Sequence, residues 1–448
     1  MNHRLTNRQL RPLPAPGHTA LPGPGRATSA TTAGLSSARA KAGRLPGAAL
    51  APAAAVAVLA AVLAAGPLAT GTAARPGGPS PTGSPYVLTA ATSAARSGGG
   101  HAEAGSVVPA GFSPMSVTYV SASQGWVLGT VACGASRCLR LVHTTNDGAS
   151  WSSVPLPPTG PVGTDSAPLK VRFADPDDGW IFSTLPGQAK VQVWSTHSAG
   201  RHWSAVKFPV KNQSLIGLED IEAAAGAVDA AIQAGDEVQI FSSPVGSNNW
   251  HRTGGPYQLG AGPVPAGEFA LQGRSGWFVQ NDRVVVAGGR DEPSGAWASW
   301  RPPCSAAGGP VVLAAATASR LDAVCTEGVW TGPKVTVDLL TSTDGGTSFG
   351  PSRPVPVTSA DAAAATGAST VAVGATVSGT NSVNVALEMT FDNGASWHAV
   401  YRQAGGGWLE LGFTTVQQGV AIVLGAWHAN TMLFTTDGGR HWAPVSFR

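Results

Sequence analysis

The chain has 448 residues, 14 of them Trp and four Cys, with a formal net charge of +3. That charge is local: eight of the 28 basic residues and none of the 25 acidic ones lie in residues 1–75, so the remainder is net −5. A mildly acidic body without a Lys/Arg run excludes nucleic acid as a partner, because neutralising phosphates needs clustered positive charge.

In chain order, residues 1–46 form a basic leader of Ala, Gly, Pro, Ser and Thr, a composition that predicts disorder. Arg39, Lys41 and Arg44 then precede an almost uncharged apolar run. Residues 47–70 read as an apolar helix, either the core of a secretory signal or a single membrane anchor through residues 47–66. Residues 71–110 are a Gly/Ser/Pro/Ala-rich linker. Every Trp falls between Trp126 and Trp442, so one aromatic-rich domain is expected over residues 111–448. This order of segments predicts an extracytoplasmic domain, secreted or held at the cell membrane.

All four Cys lie in that domain and fit an oxidising compartment. Cys133 and Cys138 bracket "GASR" between the apolar runs "GWVLGTVA" and "LRLVHTT", where a hairpin loop belongs. They are expected to pair, leaving Cys304 and Cys325 as the second pair, although four Cys allow three connectivities. The spacing provides neither close Cys pairs at both ends nor spaced His ligands, so no metal site is expected. No Gly-rich phosphate loop or nucleophile elbow occurs, and no cofactor is expected.

The last complete motif, "TTDGGRHW", recurs upstream. Aromatic residues closing such a motif are Trp151, Trp203, Trp250, Trp300, Phe349, Trp397 and Trp442. Their nearly constant spacing marks an array. The copies decay unevenly: "STDGGTSF" and "TFDNGASW" are complete, whereas Asn146 and Ser198 replace the Asp elsewhere. The aromatic therefore outlasts the carboxylate within one chain. A buried Trp removes roughly 150–250 Å² from water, whereas an Asx-type turn contributes only about 1 kcal/mol, so the motif reads as a fastener and not a catalytic group. The fastening positions are Asn146, Gly148, Trp151, Gly200, Trp203, Asp344, Gly346, Phe349, Asp392, Gly394, Trp397, Asp437, Gly439 and Trp442.

A second element, Gly-Trp at the head of an apolar run, recurs in "SASQGWVLG", "DPDDGWIFS" and "GRSGWFVQ". Each unit then reads as four short antiparallel strands, with the box turn between the third and fourth. The expected fold is all-β: a monomeric seven-bladed β-propeller of four-stranded antiparallel blades, preceded by the leader and the apolar helix. The acidic stretch "DPDDGW" reads as a turn between first and second strands, not as a calcium loop. His202 and His441 stand at the Ser/Thr place of a box and read as structural.

These motifs resemble the Asp-box, or bacterial neuraminidase repeat. Combined with the Gly-Trp runs, they resemble propellers of the photosystem II stability/assembly factor type. The resemblance covers residues 111–448 and implies the architecture. It spans catalytic and non-catalytic proteins, among them sialidases, sortilin-type receptors and xyloglucan-active glycosidases, so function must be read from a site. The sialidase pattern implied by the boxes is missing: no Arg-Ile-Pro occurs, and no motif marks Tyr119, Tyr257 or Tyr401 as a nucleophile. Another glycosidase would need two carboxyl groups facing each other across the channel mouth. Glu219, Asp220, Glu268 and Glu410 fall on the predicted channel-lining strands, with Glu268 and Glu410 the pair for an enzyme. Trp330, Trp408 and Trp427 belong to neither repeat element and fall near loops, which makes them candidates for stacking on a sugar or anchoring a peptide. The expected function is a non-catalytic binding or assembly scaffold for a protein or glycan, with a glycoside hydrolase as the alternative.

Overall fold

The computed structural model describes residues 108–447 except 135, 159–168, 184–191, 211–215, 236, 259–266, 281–286, 291–295, 305–309, 329–334, 379–382 and 426–428. The leader, the apolar segment 47–70 and nearly all of the expected linker lie outside the described residues. Among the described residues there is no helix, and so none long and apolar enough to cross a membrane. The linker ends earlier than expected: Val108 is already buried in the core.

The strands group into seven four-stranded sheets, each built from four consecutive antiparallel strands. Sheet 1 contains Ser113–Tyr119, Gly125–Cys133, Ser136–Thr144 and Ser152–Val154. The first strands of sheets 2 to 7 are Leu169–Phe173, Ile216–Ala224, Gly267–Gln272, Val311–Ala315, Ser359–Thr366 and Gly407–Phe413. Each first strand packs against the first strands of both neighbouring sheets, and that of sheet 7 packs against that of sheet 1. The first strands therefore form the inner wall of a ring.

The chain is a β-propeller.

The repeated Gly-Trp pair has a packing cause. Gly125, Gly179 and Gly419 stand at or next to the start of the second strands of sheets 1, 2 and 7, directly opposite Tyr119, Phe173 and Phe413 at the ends of the inner strands. A Cβ at these glycines would lie 2.7, 2.6 and 2.9 Å from the facing ring. Gly is thus the residue that lets the ring lie flat across the strand pair. The following Trp126 and Trp180 are fully buried, and Trp126 stacks on Phe173 of the next sheet at 3.9 Å between centroids. Trp194 packs from sheet 2 into the same inter-sheet cluster.

The box turns repeat one hydrogen-bond pattern. In "TFDNGASW", Thr390 Oγ1 donates to Asp392 Oδ1 (2.8 Å) and accepts from Gly394 N–H (2.7 Å), while Asp392 Oδ1 accepts from Ser396 N–H (2.8 Å). The same bonds recur around Asp344 and Asp437, and around Asn146 in the first box. Ser198 keeps a weaker version with its hydroxyl. Each of these turns is also bonded to the turn between first and second strands of its own sheet, for example Gly438 N–H to Gln417 O at 2.8 Å. Boxes and first-to-second turns thus share one end of the ring.

In sheets 2, 5, 6 and 7 the box glycine faces the preceding sheet. Gly439 has φ +90°, and a Cβ there would meet Met389 Cε of sheet 6 at 2.4 Å. The closing aromatics are buried or half-buried beside these turns, with Trp203 Nε1 donating to Pro155 O of sheet 1 at 2.9 Å. Each of these four boxes therefore ties its own turn and also seats it against a neighbour.

Among the described residues, ring closure uses no shared strand. Asn430 of sheet 7 bonds Ser113 Oγ and Pro114 O of sheet 1 at 3.1 and 2.8 Å. Gln418 Nε2 reaches Ala122 O and Asp147 Oδ1, both at 2.5 Å. Phe447 packs on Phe112 and Trp151 at 4.8 and 5.2 Å between centroids. Cys133–Cys138 and Cys304–Cys325 are disulfide-bonded, the first across the hairpin between the second and third strands of sheet 1.

Candidate functional site

The inner strands bring together charged residues that are far apart in sequence. Arg172 of sheet 2 is 4 % exposed and stands at the centre. Its Nε ion-pairs with Glu222 of sheet 3, and its Nη1 and Nη2 hold the two oxygens of Glu410 of sheet 7 at 3.2 and 3.1 Å. Ser116 of sheet 1 donates to Glu410 Oε1 at 2.8 Å. One guanidinium thus joins sheets 7, 1, 2 and 3. Burial works against its charge, and Glu222, Glu410 and Asp220 outweigh that penalty and hold it protonated.

The remaining acids continue the network around the wall. Lys170 Nζ lies 3.3 Å from Asp220 Oδ1, whose other oxygen accepts Phe269 N–H of sheet 4 at 3.2 Å. Glu219 Oε2 accepts Gly267 N–H at 2.8 Å. Glu268, on the second residue of the inner strand of sheet 4, is half-buried. Among the described residues no hydrogen bond or ion pair reaches its carboxyl, and burial together with the Glu410 charge pushes it up to about 8. Burial likewise raises Glu219 to about 7, despite the Gly267 N–H bond.

Several inner strands are bulged near these groups. The ladder skips Glu219 in sheet 3, Asp361 in sheet 6 and Leu409 in sheet 7. A bulge re-aims the extra side chain out of the strand alternation. This explains how the adjacent Glu219 and Asp220 both bond to sheet 4. Sequence reading found Glu219, Asp220, Glu268 and Glu410 on the inner strands, where they stand. It missed Arg172, Glu222, Lys170 and Ser116, although the "LKVRF" strand of sheet 2 puts two cations two residues apart on an otherwise apolar strand.

The aromatic candidates divide. Trp330 and Trp427 lie outside the described residues. Trp408 is half-buried across Gly374 of sheet 6, where a Cβ would meet its ring at 2.8 Å, and its Nε1 donates to Ala375 O at 3.2 Å. Among the described residues, no group of three or more His, Cys, Asp and Glu side chains has the arrangement to hold a metal ion.

Chemically, the wall separates two kinds of carboxyl group. Glu410 and Glu222 are fixed by one guanidinium, whereas Glu268 has neither cation nor donor and keeps its proton near neutrality. A pH dependence follows. For Glu268 and Glu219 the folded-state value lies above the ordinary 4.5, so their contribution to stability is fully present below about pH 4.5 and is lost as pH rises toward 7 to 8. The box carboxylates run the other way. Ser348 and Ser396 hydroxyls hold Asp344 and Asp392 down to about 2, so their contribution is lost only as pH falls from 3.8 toward 2. The melting temperature should peak near about pH 4 to 5, and Glu268→Gln should flatten its alkaline decline. Thermal unfolding across pH 3 to 9 measures both, and a decline unchanged in Glu268→Gln would contradict the assignment.

No family model matches the chain, and no curated protein matches it in sequence. Among solved structures it is similar to YCF48 bound to a D1 peptide, at TM-score 0.47 and 15% identity over 74% of this chain and 93% of that one. It is similar to the polysaccharide lyase Uly1 at TM-score 0.46 and 10% identity, over 80% and 98% of the two chains. It is also similar to a GH74 enzyme of Niastella koreensis, at TM-score 0.37 and 11% identity over 75% and 65%. These likenesses concern the fold.

Proposed function

We propose that the chain is an exported, non-catalytic propeller whose seven sheets are the blades of one ring. It is secreted or anchored through residues 47–66, and it binds a protein or glycan as a scaffold outside the cytoplasm. Its working face is the end away from the boxes, which carries the sheet-to-sheet and second-to-third-strand connections. The observation that carries this reading is the engagement of Glu410: a carboxylate held by both Arg172 nitrogens and by Ser116 is a structural staple between sheets, not half of an acid/base pair. Two disulfides support an oxidising compartment.

A glycoside hydrolase is the second reading, and Glu268 favours it, because a carboxyl raised to about 8 has the protonation of a general acid. The test is to apply the purified chain to glycans and cell-wall polymers and to assay the same wells for released reducing ends. Binding without release is expected, weakened by replacing Trp408 or Trp427. Release that disappears in Glu268→Gln would overturn the proposal in favour of the hydrolase.

A further inference from the structure

We infer that the inner wall of the ring takes a cationic side chain, the ammonium of a Lys or the guanidinium of an Arg, presented by a protein partner. This rests on the non-catalytic reading above and names the chemistry of its partner.

The first observation is charge balance. The described inner strands carry six acids, Glu219, Asp220, Glu222, Glu268, Asp361 and Glu410, and only two cations, Lys170 and Arg172. The second is independent of that count. Glu219 is 0% exposed and Glu222 2% exposed, and in each one oxygen is bonded while the other, Glu219 Oε1 and Glu222 Oε2, has no hydrogen-bond partner. Buried carboxylate oxygens are normally satisfied, and an orphan costs more than a made bond returns. An ammonium brings three donors and a guanidinium five, together with the missing charge. The raised Glu219 and Glu268 carboxyls agree, since crowded acids short of cations retain protons instead.

The inner strands of sheets 5 and 6 read "VVLAA" and "SADAAAAT", and apart from Asp361 they bring no further charge to the wall. Asp361 is exposed near the start of its strand, the end at which Glu268 also stands. A neutral sugar would leave the charge imbalance in place.

The experiment titrates the full chain at pH 8 with capped pentapeptides Gly-Gly-X-Gly-Gly, where X is Lys, Arg, norleucine or Glu, followed by ligand-observed NMR. Lys and Arg peptides should bind. Norleucine, which keeps the stem and lacks the charge, should not, nor should Glu. Glu268→Gln, expected to melt no lower than the parent at this pH, should weaken Lys binding about tenfold, and Glu268→Asp should retain most of it. Equal binding of Lys and norleucine peptides, or binding indifferent to Glu268→Gln, overturns the inference. The two proposals fail separately: glycan binding without release alongside indifferent peptides removes only the cation assignment, whereas release of reducing ends removes the scaffold reading whatever the peptides do.

Discussion

Deleting residues 442–448 is expected to abolish cooperative folding. The segment holds Trp442, which packs with Phe413 and donates to Gly439 O at 3.1 Å. It also holds the fourth strand of sheet 7, Ala443–Pro444, together with Val445 and Phe447, which join the cluster between the first and last sheets. Half-burial of two aromatic rings and one Val is worth on the order of 6 kcal/mol, an upper figure at ~25 cal/mol per Å². Whole domains are stable by only about 5–15 kcal/mol. Among the described residues sheets 1 and 7 share no strand, so no full ladder of backbone bonds remains there to keep the ring shut. Calorimetry of the shortened chain should show no cooperative transition. A transition near the parental temperature would mean that the polar contacts of Asn430 and Gln418 suffice for closure.

The second large effect is at Arg172. Replacing it with Met leaves Glu222 and Glu410 buried without their cation, and removing one partner of a buried ion pair costs about 3–5 kcal/mol. The stranded carboxyls can take up protons, so the loss should be larger at pH 8 than at pH 5. The neutral combination Arg172→Met with Glu222→Gln and Glu410→Gln should recover most of the stability, since burying charges carries a desolvation penalty that the neutral set escapes. Denaturant unfolding of the single and combined variants forms the cycle that isolates the coupling. A single variant as stable as the parent would show that the guanidinium does not tie the sheets together.

The fold was largely legible because its repeated devices are local. A box fits in eight residues, and the bonds from Thr390 and Asp392 all end within six residues of where they begin. Gly-Trp was visible for the same reason, although its cause, the ring of Tyr119 lying over Gly125, needed the strand pairing. The site was legible only in part. Glu410 was assigned to the wall correctly and its partner was not, because Arg172 lies 238 residues away and nothing in "LKVRF" announces an acid on sheet 7. The bulges at Glu219 and Asp361 were equally silent, since one skipped residue in a ladder leaves no periodic signature. Trp408 looked like a loop aromatic by position, and what fixes it is the bare backbone of Gly374 on another sheet.

The seat of the box glycine differs among sheets 2, 5, 6 and 7. Gly200 abuts Val154, Gly346 the indole nitrogens of Trp277 and Trp300, Gly394 the side chains of Leu339 and Arg353, and Gly439 the thioether of Met389. The turns are alike in themselves and unlike in what they touch, so the units are not interchangeable beads. A turn transplanted to another position would keep its own bonds and meet the wrong neighbour. Lineages carrying this protein should therefore change a box and the facing residue of the preceding sheet together, and gain or loss of a whole unit should require repair at both of its flanks.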